Sequence, residues 1–130
     1  MTERRLPVKR TAKLFIGGEF PRSESGRSYE VLGQDGELLA WAARASRKDL
    51  RDAVRAARAA QPGWAAKTAY LRGQILYRVA ELMEGRRSQF EAELGDAGAK
   101  DPVKGTNAAI DRWVWYAGWA DKIHQVLGAS

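Results

Sequence analysis

Residues 111–122 read DRWVWYAGWADK, three tryptophans and a tyrosine within a dozen positions. From Ile110 to Ala120 nearly every direction around a helix through this stretch is apolar. Such a helix is buried on several sides or lies in a membrane. This one is too short to span, and it is charged at both ends. It therefore demands neighbours. A chain of 130 residues has room for one modest core. Its other predicted elements are a few short strands and two more helices, enough to cover one side of the aromatic helix and not all of it.

Hydrophobic period and turn chemistry predict those elements, with strands across about 14–45 and helices over about 47–60, 69–94 and 106–127. In KLFIGGEF (13–20), Gly17-Gly18 sits between apolar residues and reads as a hairpin turn, since both positions can take positive φ. YEVL (29–32) and ELLAWAARA (37–45) read as strands on either side of a turn centred on Asp35-Gly36. Ser46 and Asp49 form a capping-box variant that starts the first helix. There Leu50, Val54 and Ala57 make a stripe opposite Arg47, Arg51, Arg55 and Arg58. Pro62-Gly63 is expected to end that helix, with Trp64 in the connection. Thr68 caps the second helix, and Gly73 and Gly85 inside it point to close packing or a local irregularity. Residues 1–12 are expected to form a disordered basic tail, and 13–130 an incomplete α/β domain dominated by helix.

The net charge of +6 invites a nucleic-acid reading, but the first thirteen residues carry five cations against one acid, so most of the excess sits in the tail. A basic terminus of this kind is ordinarily just solvated. No specific nucleic-acid partner and no membrane is expected. The start has no apolar core of a secretory signal, which leaves the cytoplasm as the default location. The absence of cysteine removes disulfides, thiolate ligands and a thiolate nucleophile. His124 is the only histidine and suits a helix C-terminus, and no second histidine or cysteine joins it in a metal site. Asp96 and Asp101 flank a glycine-rich loop and read as turn formers. Neither GGEF nor GQDG has the spacing of a phosphate-cradling loop. Nucleophile, base and oxyanion donors do not assemble from these residues, so the residues alone describe a folding unit and no chemistry.

YAGWADK (116–122) resembles a signature run of the NAD(P)-dependent aldehyde dehydrogenases, and other segments match that family in order. LFIGGEF (14–20) resembles its first hairpin, GELLAWAARASRKDLRDAVRAARAAQPGW (36–64) its next strand and first helix, and RGQILYRVAELMEGRRSQF (72–90) its second helix. The resemblance covers about residues 13–127. It implies an oxidoreductase that converts aldehydes to carboxylates through thiolate attack, hydride transfer to the nicotinamide and hydrolysis assisted by a glutamate. The family's cysteine, glutamate and dinucleotide-binding unit lie downstream of the matched region. The chain is thus expected to be a truncated N-terminal fragment, inactive and binding no cofactor alone, whose partner is the remainder of such a chain or a homologous subunit. The alternative is a stand-alone helical interaction module that docks through its aromatic helix. By resemblance, Ala108 and Arg112 line the substrate tunnel, while Trp113, Trp115, Tyr116 and Trp119 form a structural aromatic helix, with Asp121 structural beside them. Asp96 is the nearest match to a monovalent-cation position, although GDAGAKDP departs from the usual D-N-G-K-P run.

Overall fold

The computed structural model describes residues 8–128. Among them the chain forms three strands and five helices, a helix-dominated arrangement with one small sheet. It divides into two compact units, Met1–Ala60 and Gln61–Ser130.

In the first unit, strand β2 (Ser28–Leu32) pairs antiparallel with β3 (Leu38–Ala43), and β1 (Thr11–Ala12) adds parallel to the other edge of β3. The turn joining β2 to β3 closes through Gly36 N–H donating to the Gly33 carbonyl at 3.1 Å, with Gly36 at φ 76°. The expected turn at Gly17-Gly18 is present, with φ of 64° and 84°. The flanking residues close a short hairpin: Ile16 and Glu19 exchange backbone bonds at 3.0 and 3.1 Å, Leu14 N–H donates to the Pro21 carbonyl at 3.2 Å, and the Phe15 and Phe20 rings meet across it at 5.0 Å. The strand that joins the sheet lies earlier, at Thr11–Ala12, inside the expected disordered tail. Residues 1–7 of that tail lie outside the described residues.

Helix α1 (Arg47–Ala65) begins on the predicted capping box. Ser46 N–H donates to Asp49 Oδ2 at 2.8 Å, and Asp49 N–H donates to Ser46 Oγ at 3.3 Å. Asp49 is buried and also accepts from Ser23 Oγ at 2.7 Å and Glu24 N–H at 3.3 Å, which ties loop 21–27 to the helix start. These donors, Ser23 first and the Ser46 amide next, hold the Asp49 carboxyl down at about 2. The face that meets the Gly17-Gly18 turn carries Ala53, Ala56 and Ala60, whereas Leu50 and Val54 stay exposed. Small side chains let the turn come close: a Cβ on Gly17 would meet Ala56 Cβ at 3.8 Å.

In the second unit, α1 continues through Pro62 to Ala65, past the predicted stop, and Trp64 belongs to its last turn. Proline costs the helix one donor there. The end is secured by other donors: Ala66 N–H to the Pro62 carbonyl at 3.0 Å, and Arg72 Nη1 to the carbonyls of Ala65 and Lys67 at 3.0 and 3.1 Å. Helix α2 (Ala69–Glu84) starts on Thr68, whose Oγ1 accepts from Leu71 N–H at 3.2 Å. The predicted helix over 69–94 is two helices, because the chain tightens at Gly85-Arg86 before α3 (Arg87–Asp96). Arg87 spans the break, pairing with Glu84 at 2.7 Å and Glu91 at 3.5 Å and hydrogen-bonding Asn107.

Helix α4 (Pro102–Trp119) starts four residues before the predicted 106. Asp101 Oδ1 accepts from Lys104 N–H at 2.9 Å, and Pro102 takes the first helical position, where its missing donor costs nothing. A turn at Ala120–Lys122 ends it short of the predicted 127, and α5 (Ile123–Leu127) follows. Helix α2 packs on α4, where Ala80, Ile110 and Ala117 are buried, and small residues bring the backbones close: a Cβ on Gly73 would lie 3.0 Å from the Ala117 carbonyl. Thr106 is almost wholly buried at 1 % exposure.

Candidate functional site

The α2–α4 contact uses one side of α4 and leaves the aromatic side open. Ile110 and Ala117, two turns apart, are buried, while the residues between them are exposed, including Trp113 and Val114 on the same face one turn away. Trp113 is 38 % exposed, Trp115 57 % and Tyr116 56 %. Trp119 is half-buried and lies against Trp115, ring centroids 5.5 Å apart, while Trp115 meets Tyr116 edge-on at 4.9 Å. The edge-to-face contact is one the ring quadrupoles favour, and the Trp115–Trp119 pair is tilted at 44°.

Two hollows open on this surface. One of about 540 Å³ is lined by Leu76 of α2 with Ala109, Arg112, Trp113 and Tyr116 of α4. The other, about 360 Å³, is shallower and lined by Ala108, Asp111, Arg112, Trp115 and Tyr116. The structure therefore brings Ala108 and Arg112 together on one hollow and puts Arg112 at the junction of both. Trp113 and Trp115 fall on opposite sides of that junction. The spacing of 109, 112, 113 and 116 is i, i+3, i+4, i+7, so the larger hollow's α4 wall was visible as one helical face. Leu76 comes from another helix, and the α4 sequence carries no sign of it.

The lining is aromatic, aliphatic and, through Arg112, cationic. It can seat an apolar molecule and attract a negative end; its ionisable groups besides Arg112 are the Asp111 carboxylate and the Tyr116 phenol, and no cysteine, serine or histidine lines it. Asp121 lies apart, beside Tyr70, Gly73, Tyr77 and Lys122 in a small hollow of about 180 Å³. Asp96, the cation candidate, is exposed at the end of α3. Among the described residues no three His, Cys, Asp or Glu side chains gather as a metal site. His124 falls within the five-residue α5. No helix among the described residues is long and apolar enough to cross a membrane.

The aldehyde dehydrogenase family matches residues 20–129, the bulk of the chain and all of α4. The chain belongs to the aldehyde dehydrogenase family. The chain is 36% identical over 120 residues to aldehyde dehydrogenase family 2 member B4, mitochondrial, of Arabidopsis thaliana, covering 86% of the chain and 22% of that protein. It is 37% identical over 120 residues to the mitochondrial benzaldehyde dehydrogenase of Antirrhinum majus, again covering 86% of the chain and 22% of the relative. Among solved structures it resembles HpcC from Thermus thermophilus, with TM-score 0.82, 33% identity, and coverage of 86% of this chain and 22% of that one. The chain thus spans about a fifth of the length of these relatives, and the likeness places its fold in their N-terminal region.

Proposed function

We propose that these residues are the N-terminal part of an NAD(P)-dependent aldehyde dehydrogenase, oxidising aldehydes to carboxylates only within the whole enzyme, where α4 forms an aromatic wall beside the substrate. The observation that carries the reading is the open aromatic face of α4, with Arg112 and Ala108 on one hollow, inside a segment matched throughout by the family. In this reading Ala108 and Arg112 line the path of the aldehyde, and Trp113, Trp115, Tyr116 and Trp119 pack against the remainder of the enzyme or a homologous subunit. Neither a nucleic acid nor a membrane is a partner.

The junction of β3 with α1 does not fit a dinucleotide. The one strand that leads directly into a helix, β3 into α1, does so through Arg44-Ala45-Ser46, with no glycine to admit a pyrophosphate. The Asp49 carboxylate already takes the amide of Ser46 and the hydroxyl of Ser23 at that helix start, where a phosphate would otherwise sit. That junction therefore supplies no cradle for NAD or NADP, and the 130 residues contain no cysteine to supply the thiolate.

The test is to assay the purified chain for aldehyde-dependent NADH or NADPH formation and to measure its solution mass over a range of concentrations. No turnover, with a mass that climbs with concentration, is the expected result. Reduced nucleotide formed by the chain itself would overturn the reading. The same exposed tryptophans support a second reading, an interaction module complete in itself. A monodisperse species with a cooperative near-UV circular dichroism melt would favour that alternative.

A further inference from the structure

A different part of the molecule, in the first unit, carries a site that the aldehyde dehydrogenase reading does not use. Between β1, the start of β2 and loop 21–27 lies a cavity of about 360 Å³, lined among others by Thr11, Lys13, Arg22, Arg27 and Ser28. Three of these five side chains are permanent cations at neutral pH, and none makes an ion pair among the described residues. No carboxylate lines the cavity. Two acids of the adjoining loop and helix, Glu24 and Asp49, are engaged elsewhere. Asp49 receives Ser23, Glu24 and Ser46, and Glu24 accepts from Ser46 Oγ at 3.3 Å. Ser23, a buried residue of the lining, donates its hydroxyl to Asp49 at 2.7 Å, which fixes that part of the wall.

Three cations around one concavity repel one another unless an anion sits among them, and two guanidiniums present forked donors suited to phosphate oxygens. The Thr11 and Ser28 hydroxyls add neutral donors on the strand side. We propose that this cleft binds a small polyanion bearing phosphate groups, with Arg22 and Arg27 as the forks and Lys13 as the third charge. A diphosphate is the smallest such group with oxygens enough for all three.

Equilibrium dialysis of radiolabelled pyrophosphate against the full chain, at fixed ionic strength, tests this. The expected result is saturation at one pyrophosphate per chain, with affinity falling about tenfold or more in the R22Q/R27Q double variant. The control R51Q/R55Q removes the same charge from α1, outside the cleft, and should leave the affinity unchanged. Should the double variant lose helical signal by circular dichroism, K13Q alone replaces it, with a smaller loss expected. Uptake that never saturates, or that falls equally in the cleft variants and the α1 control, overturns the proposal and assigns the binding to overall positive charge.

Discussion

At the scale of single residues, Asp49 and Thr106 show opposite treatments of a buried polar group. Asp49 receives three donors, and its carboxyl is held near 2, below the ordinary 3.8. A group whose pKa is lower folded than unfolded contributes stability that is complete above its unfolded value and is lost as pH falls through its folded value. The first unit should therefore lose stability as acidity moves from about pH 4 to pH 2, and Asp49→Asn should flatten that limb in circular dichroism melts taken across the range. Among the described residues Thr106 Oγ1 has no hydrogen-bond partner. Thr106→Val keeps the shape and removes the orphaned hydroxyl, so it should leave the chain as stable as before or raise stability by about 1 kcal/mol in urea unfolding. A loss of more than that would mean the hydroxyl has a partner in solution. Sequence reasoning found the Ser46–Asp49 box because capping is local. It missed Ser23, whose bond to Asp49 crosses twenty-six residues.

At the scale of elements, the helices were legible where local chemistry decides and illegible where an end is secured from a distance. Thr68 and the Ser46–Asp49 box set two starts as read. Arg72 bonds the end of α1 beyond Pro62, and Arg87 bridges the break after α2; neither side chain signals its target in the sequence. The two glycines at helix contacts make a matched pair. A Cβ at Gly73 would stand 3.0 Å from a backbone carbonyl of α4, where nothing flexible can give way. A Cβ at Gly105 would meet Leu94 Cδ1 at an ordinary 3.5 Å. Alanine gains about 1 kcal/mol of helix propensity at either position. Gly105→Ala should therefore stabilise by roughly that amount in denaturant melts. Gly73→Ala should destabilise despite the same gain, because α2 and α4 must separate.

At the scale of the whole molecule, the aromatic segment was legible as a helix with too much apolar surface. Its exposed tryptophans are that surplus made visible. What the chain's own residues cannot reveal is the covering surface, since the chain spans about a fifth of its relatives. If the open face drives association, W113E/W115E should weaken self-association by about tenfold or more in sedimentation, while far-UV circular dichroism stays unchanged. Equal association by the variant would place the sticky surface elsewhere. The contact of Gly73 with Ala117 has a consequence for length variation in this region. Backbone meets backbone there, so the rotation of α4 about its own axis is set by which residue lies opposite Gly73. Each residue inserted in a helix turns everything beyond it by about 100°. One residue added between Trp113 and Ala117 would leave composition and helicity nearly untouched, yet swing the tryptophans on one side of the insertion away from those on the other. Loop 97–101, by contrast, can lengthen without turning that face at all.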